Sequence, residues 1–389
     1  MNIKEVAAKY ADYQIEMRRY FHKHPEVSGK EFETSKAVKA ELDKMGIPYR
    51  DCGMGTGVLA TIEGTKPGKT ILLRADMDAL TVHETTGAEY ASVNEGVMHA
   101  CGHDCHISML LTAAHILMDM REDLCGTVRL AFQPAEEIAL GAIAMIDEGA
   151  MDGVDGCFGI HVWTDVAAGT VSIEGGPRMA SCDSFNIKIT GKGCHGAQPE
   201  AGVDAAVVTA AVINNLQTIV SREISPMDNA VVTVGTIQTG TRWNVVAENS
   251  VLAGTTRAFR DEVRDSFEER ISRVVKSTCE SFRAKGEVEY IRMVSPTIND
   301  YGFAALAQES AKKIMGEDCL ANFPATTGAE DFSQYLYKAP GAMVFLGTGN
   351  PECGAIWPNH SGNFCVDEDQ LLKGAMLHAQ VALDFNASK

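Results

Sequence analysis

Apolar residues recur at helical spacing over residues 3–23 and 31–46, and the second pattern stops at Gly46 with Pro48 just beyond it, so two helices open the chain. Two short β-rich runs follow, Gly57–Glu63 and Thr70–Asp76, and the intervening Lys66-Pro67-Gly68-Lys69 reads as a turn. A helical run from about Asp104 to Met120 leads to strand Val128–Phe132, a helix over Leu140–Glu148 and strand Gly156–His161. That alternation predicts an α/β unit built on a largely buried mixed sheet with helices on its faces. From about Ser181 the texture changes. Strand Ser184–Thr190, helix Asp204–Arg222, strands Ala230–Ile237 and Ser250–Phe259, helix Asp261–Lys285 and strand Glu287–Val294 give the order βαββαβ, a ferredoxin-like α+β unit. Residues 300–389 return to the α/β pattern, with helices near 302–315 and 367–385 around an apolar strand, Ala342–Leu346. The expected organisation is a discontinuous domain, 1–180 with 295–389, interrupted by an inserted domain, 181–294.

The 389 residues exceed the roughly 250–300 at which single hydrophobic cores stop growing, which agrees with two domains. A hydrophobic fraction of 45% and a charged fraction of 22% are those of a folded globular chain and exclude a disordered or fibrous one. The 34 basic residues against 52 acidic ones leave a formal charge of −18. Such a charge repels polyanions, so neither nucleic acid nor an anionic membrane is the expected partner, and an anionic substrate must meet a local cationic site. The charged amphipathic start lacks the apolar core of a secretory signal, and no stretch is long enough to span a bilayer. The 11 cysteines, an odd and scattered set, fit reduced thiols better than a disulfide framework, and a cytoplasmic location is expected.

Chemistry gathers in a few places. Met98-His99-Ala100-Cys101-Gly102-His103-Asp104-Cys105-His106 sets a thiol among imidazoles immediately before a helix. In an extended segment Cys101 and His103 project to the same side and can reach one ion or a close pair, although a core thiol beside a satisfied histidine reads from the same residues. In Ala131–Glu137 a β-run reaches a proline and ends in adjacent carboxylates, Glu136 and Glu137. Neighbouring side chains diverge, so one glutamate can ligate a metal while the other leans over the open position as a base; a solvated acidic pair is the alternative. Asp76 and Asp78 leave the carboxyl end of a hydrophobic strand, where ligand sites collect in open α/β sheets. There Asp78 can orient a base or a histidine ligand, or cap the next turn. His161 and His360 are weak signals alone. With Cys101, His103 and Glu137 they make five donors, too many for one tetrahedral ion and suited to two divalent ions, with Mn2+, Zn2+, Co2+ and Ni2+ all compatible.

The chain resembles the aminoacylase/carboxypeptidase family of two-metal amidohydrolases, in its hippurate hydrolase and indole-acetyl-amino-acid hydrolase branch. The likeness covers essentially the full length and rests on six motifs in order: Arg74–Leu80, His99–Asp104, Phe132–Glu137, Gly191–Ala197, Gly254–Arg257 and Gly328–Ser333. It implies Cys101, His103, Glu137, His161 and His360 as metal ligands and Glu136 as general base. It implies that the inserted domain is a lid that also builds a homodimer, and that His195 reaches the partner subunit's active site and polarises the scissile carbonyl. Asn244 and Arg257 match positions that hold the substrate's carboxylate, which would supply the local cationic site; a surface strand arginine is the alternative for Arg257.

Three positions depart from the family's usual pattern: Thr81 and Ala247 stand where prolines are common and Glu200 where histidine is frequent. They spare the ligands and bear on the substrate pocket. The expected activity is metal-dependent hydrolysis of N-acyl (acetyl or aryl-acyl) amino acids to a carboxylic acid and a free amino acid. The rivals are a dipeptidase or carboxypeptidase on small peptides, a thiol amidase with Cys101 as nucleophile, and a non-catalytic ligand-binding homologue.

Overall fold

The computed structural model describes residues 2–388, and by internal contacts they form two compact units. The first comprises the chain up to Gly176, Ile298–Pro324 and the chain from Asp331; the second comprises Pro177–Thr297 and Ala325–Glu330.

In the first unit the order is α1 (Ile3–Ala7), α2 (Ala11–Lys23), α3 (Phe32–Met45), β1 (Tyr49–Asp51), β2 (Val58–Glu63), β3 (Lys66–Asp76), α4 (His103–Asp119), β4 (Cys125–Gln133), α5 (Gly141–Asp147), β5 (Gly156–Ala167) and β6 (Val171–Ser172). After the second unit come α8 (Tyr301–Met315), α9 (Ser333–Leu336), β13 (Gly341–Gly349) and α10 (Leu371–Ala387). The strands make one seven-stranded mixed sheet, β1-β2-β4-β3-β5-β13-β6, in which β4, β3, β5 and β13 run parallel. Both faces are covered. Ile71 and Leu73 of β3 join a core with α4 and α10, while Leu72 packs with Ala142 and Met145 of α5 and with Tyr335 of α9. Helix α4 is buried over most of its length, with Ile107 to Leu111 and Ile116 fully buried among its neighbours, as a central helix must be. Helix α3 ends where the pattern placed it: Gly46 takes the left-handed conformation (φ +66°), and the Ile47 amide closes back on the Leu42 carbonyl at 3.0 Å.

The second unit contains β8 (Cys182–Thr190), α6 (Ala205–Thr218), β9 (Ala230–Thr239), β10 (Asn249–Ala258), α7 (Asp261–Ser281) and β11 (Lys285–Val294). Its antiparallel sheet has the order β11-β8-β10-β9, the ferredoxin-like arrangement. Phe185, Ile187 and Ile189 of β8 face the two helices and bury against Val208, Val212, Phe267 and Ile271. Asp204 starts α6 by accepting the Ala206 amide at 2.9 Å. Two further short strands are β7 (Gly176–Met179) and β12 (Thr297–Asn299).

The structure departs from the pattern in three informative places. Lys66–Lys69 is not a turn between strands. These residues begin β3, and a register shift between Lys66 and Thr70 absorbs Pro67, which cannot donate to a ladder. Strand β5 does not stop at His161 but continues to Ala167, because β13 pairs with it past that point. Helix α6 ends at Thr218 and is followed by a π turn, Ile219–Glu223, where one continuous helix was expected. Among the described residues no helix is long and apolar enough to cross a membrane, and all 11 cysteines are free thiols.

Candidate metal centre

The parallel strands of the first unit deliver their carboxyl ends to one place. β3 ends at Asp76 with Asp78 just beyond, β4 runs into Pro134-Ala135-Glu136-Glu137, β5 carries His161, and β13 leads to the loop bearing His360. Helix α4 starts at His103. The preceding Gly102 adopts φ +88°, and a Cβ there would lie 2.4 Å from Val162 Cγ2, so the Cys101-Gly102-His103 turn needs glycine on both counts. The segment is therefore a left-handed turn into a helix rather than the extended run expected from the sequence, and it still brings the two side chains together.

Donor atoms of Cys101, His103 and His161 all lie within 4.8 Å of one another, as do those of Cys101, Glu137 and His360 and those of His103, Glu136 and Glu137. Shared members link the sets into one cluster. Cys101 Sγ is 3.5 Å from His161 Nε2 and 3.3 Å from His360 Nε2, and Glu137 Oε1 is 3.6 Å from His360 Nε2 and 3.9 Å from His103 Nε2. The far side of each buried ring is occupied. His103 Nδ1 donates to the Asp78 carbonyl (2.8 Å), with the Asp78 carboxylate at 3.2 Å, and His161 Nδ1 donates to the Val162 carbonyl (2.8 Å). This leaves both Nε2 lone pairs aimed inward, the second-layer arrangement that orients a metal-binding imidazole.

The cluster fits divalent cations on its own chemistry. His103 Nε2 and Glu137 Oε1 are buried without a hydrogen-bond partner, which costs about 1–3 kcal/mol each unless something positive faces them. Burial pushes the Cys101 thiol well up, with the Glu137 carboxylate adding to it, and burial pushes the Glu137 carboxyl up to about 7 against the opposing His103. Burial likewise drives the His161 ring down, with His106 reinforcing it. Burial lowers the His103 ring too, but Asp76 outweighs it and raises the ring, so a cation reverses the balance for the thiol and the carboxyl, displaces a proton from His103 and takes up the neutral His161 ring.

Glu136 corrects one expectation. Adjacent side chains on a regular strand diverge, yet the carboxylates of Glu136 and Glu137 both approach His103. The reason is Ala135, a non-glycine residue with φ +54°, which turns the backbone so that consecutive residues face the same cavity. Sequence reasoning also assigned no particular role to His106. It lies one turn after His103 on α4, fully buried, its Nδ1 toward Asp76 (2.5 Å) and its Nε2 accepting the Val162 amide (2.9 Å), so it pins the strand that carries His161. The three-residue spacing from His103 was the available signal.

His195, Asn244 and Arg257 belong to the second unit. His195 is exposed in a loop bridged to the loop of Asn244: His195 and Val245 form a β-bridge, and the Gly196 amide donates to the Asn244 carbonyl at 2.9 Å. The Ala197 amide donates to His195 Nδ1 (3.0 Å), so the neutral ring carries its proton on Nε2. Asn244 Oδ1 is buried without a partner. Arg257, on β10, donates to the Thr255 hydroxyl and the Thr256 carbonyl and pairs with no carboxylate among the described residues. Of the departing positions, Thr81 and Glu200 are exposed and Ala247 is buried.

Residues 72–384 match peptidase family M20/M25/M40. The chain belongs to this family. Over 388 residues it is 41% identical to thermostable carboxypeptidase 2 of Saccharolobus solfataricus, covering 99% of this chain and 98% of that one. It is 40% identical over 361 residues to an N-acetyl-L-cysteine deacetylase of Bacillus subtilis, covering 93% and 85%. Among solved structures it is similar to the Bacillus subtilis YxeP protein, described as a dinuclear metal-binding peptidase of the M20 family, at 34% identity and a TM-score of 0.86 over 97% of this chain and 98% of that one. The M20 likeness agrees with the resemblance read from the motifs, and with the hydrolase class it implied.

Proposed function

We propose that this M20 hydrolase cleaves the amide bond of N-acyl amino acids, releasing a carboxylic acid and a free amino acid, with two divalent ions held by Cys101, His103, Glu137, His161 and His360. The observation that carries the reading is the convergence of five inward-facing donors beside one further carboxylate, Glu136. The deacetylase relative supports the acyl side of the substrate, and the two-metal count follows both from five donors and from the dinuclear relative.

Bound divalent cations supply Lewis-acid polarisation of the amide carbonyl and draw the pKa of water from 15.7 down toward about 7. The chain's own residues do the rest. Glu136 takes the proton of the attacking water and later delivers it to the departing amine nitrogen, one residue acting as base and then acid. Asp78 holds His103 in the tautomer that leaves Nε2 free. In a homodimer built through the second unit, His195 serves the partner subunit's site, where its Nε2–H donates to the developing oxyanion; removing one such donor typically costs about 2.7–4 kcal/mol. Asn244 and Arg257 hold the substrate's carboxylate, and Arg257, which has no acidic partner among the described residues, is available to do so. Strand β9 leaves one edge of its sheet unpaired and is mostly exposed, which suits a partner strand. A reducing cytoplasmic setting suits a chain of free thiols.

The test is Glu136→Gln assayed with metal content. Bound metal stays at the wild-type level and turnover of an N-acetyl or N-benzoyl amino acid falls about 10²–10⁴-fold. Unchanged turnover refutes the assignment. The carboxypeptidase relative favours a second reading, a peptidase on small peptides. A free-amine dipeptide compared with its N-acyl counterpart separates the two by their kcat/KM ratio.

A further inference from the structure

Glu31 is fully buried at the start of α3, and its carboxylate accepts from the Gly29 amide (2.7 Å) and the Ala135 amide (3.0 Å) on Oε1 and from the Thr56 hydroxyl (2.9 Å) on Oε2. Among the described residues no cationic side chain pairs with it. An unpaired buried carboxylate is an expensive choice where an apolar side chain of similar volume would fill the space, so its acceptors must serve something. What it holds is the left-handed residue of the Glu136 turn. Among the described residues the Ala135 amide has no other partner, while the Ala135 carbonyl accepts from Leu140 (3.3 Å) and Gly141 (3.2 Å), so the turn is gripped on both sides of the unfavourable φ.

The segment around Glu31 is itself fastened. Glu26 caps α3 through the Thr34 amide and hydroxyl (2.8 and 2.9 Å), and its own carbonyl accepts the Ala79 amide at 2.8 Å. Ser28 donates to Asp78 Oδ2 at 2.6 Å, and that same oxygen accepts the Glu137 amide at 3.0 Å. The 26–31 segment therefore grips the Pro134–Ala135 peptide through Glu31 and, through Ser28 and Asp78, the Glu136–Glu137 peptide. Glu136 itself is left between two clamped amides.

We infer that Glu31 is a positioning residue for the general base, its carboxylate holding the Ala135 amide so that Glu136 faces the metal cavity. The inference rests on the reading of Glu136 as base. Because Glu31 touches no metal-binding side chain and the Glu137 amide is held separately by Asp78, its loss lowers kcat through the base and leaves KM and metal content alone.

The experiment compares three variants with the metal-replete wild type on one N-acyl amino acid. Glu31→Met, which keeps the volume and removes the acceptors, lowers kcat about 10–100-fold, the effect of a displacement near 1 Å at a reacting group, with KM within about two-fold and metal content unchanged. Glu31→Gln, whose amide oxygen still accepts the Ala135 and Gly29 amides while its NH2 meets the Thr56 hydroxyl, recovers kcat to within about three-fold of wild type. Thr56→Val, which removes the Oε2 anchor with little change of shape, lowers kcat a few-fold and carries the test should Glu31→Met fail to fold. Wild-type kcat in folded, metal-replete Glu31→Met or Thr56→Val overturns the inference, as does a kcat loss that tracks metal loss or a Glu31→Gln no better than Glu31→Met. Glu136→Gln is run alongside. If it is nearly inactive while Glu31→Met is unaffected, the positioning role alone fails; if it keeps full turnover, the base assignment fails and the inference goes with it.

Discussion

Asp78→Asn is the sharpest single test of the proposed centre, because it removes a charge and changes one atom while hardly altering size. Asp78 Oδ2 accepts from Ser28 (2.6 Å) and from the Glu137 amide (3.0 Å), and Oδ1 stands 3.2 Å from His103 Nδ1. A carboxylate serves both sides; an amide cannot. With its oxygen toward Glu137, the new NH2 group meets the His103 Nδ1–H, already held by the Asp78 carbonyl at 2.8 Å. Flipped, it meets the Glu137 amide. Either way a buried donor is left unmatched, at about 1–3 kcal/mol. The penalty falls on the loaded state, where His103 must present an unprotonated Nε2. Loss of such a partner typically weakens metal affinity about 10–100-fold, or roughly 1.4–2.7 kcal/mol, which agrees with the hydrogen-bond arithmetic. Competition between the apoprotein and a chromogenic chelator for Zn2+ or Mn2+ measures it, with thermal unfolding to establish that the variant is folded. Affinity within two-fold of wild type would show that the Asp78 carboxylate does not orient His103 for the metal, and that role would fall.

Three further outcomes are expected. Mixing His195→Ala subunits with Glu136→Gln subunits restores part of the activity that each lacks, since one site in the hybrid carries both groups; no recovery in a proven hybrid excludes sharing across a dimer. Chelation abolishes turnover and Mn2+ or Zn2+ restores it, whereas a thiol amidase using Cys101 keeps its activity through metal removal. Acid weakens the fold through a buried cluster behind α4. Burial opposes charge on Glu84, but its hydrogen bond to His22 (3.2 Å) and those from Thr86 and the Ser92 amide prevail and draw it from 4.5 down to about 2. Asp104 is likewise held down by Arg18 at 3.0 Å and His22 at 2.8 Å. These depressed carboxylates contribute stability above about pH 4.5 that is lost as pH falls toward about 2. His22 has the opposite sign: burial lowers it, Asp104 outweighs burial, and its share is present below about 6.5 and fades as pH rises through its raised value. Urea unfolding between pH 3 and 8 shows a shallower acid limb for Glu84→Gln than for wild type; identical slopes contradict the linkage.

Much of this molecule is readable along the chain because the signals are local. Apolar spacing marked α3, α4, α7 and the βαββαβ order of the inserted unit, and Gly46 marked the end of α3 through its left-handed cap. The motifs around Cys101, Glu137, His161 and His360 named the donors by residue type. Other features depend on partners distant in sequence. The extension of β5 to Ala167 follows from β13, and the conversion of Lys66–Lys69 from turn to strand follows from β4. The positive φ of Ala135 leaves no mark in an alanine codon.

Residue chemistry and periodicity alone therefore determined which groups this protein can bring to a reaction and which elements carry them. Only the folded chain decided that Cys101 lies 3.3 Å from His360, that Glu136 and Glu137 turn to the same cavity, and that Glu31 and His106 stand behind them. Periodicity records whether a residue faces water or core. Convergence is set by strand register, by strained turns and by hydrogen bonds between remote segments, and these exist only once the core has packed.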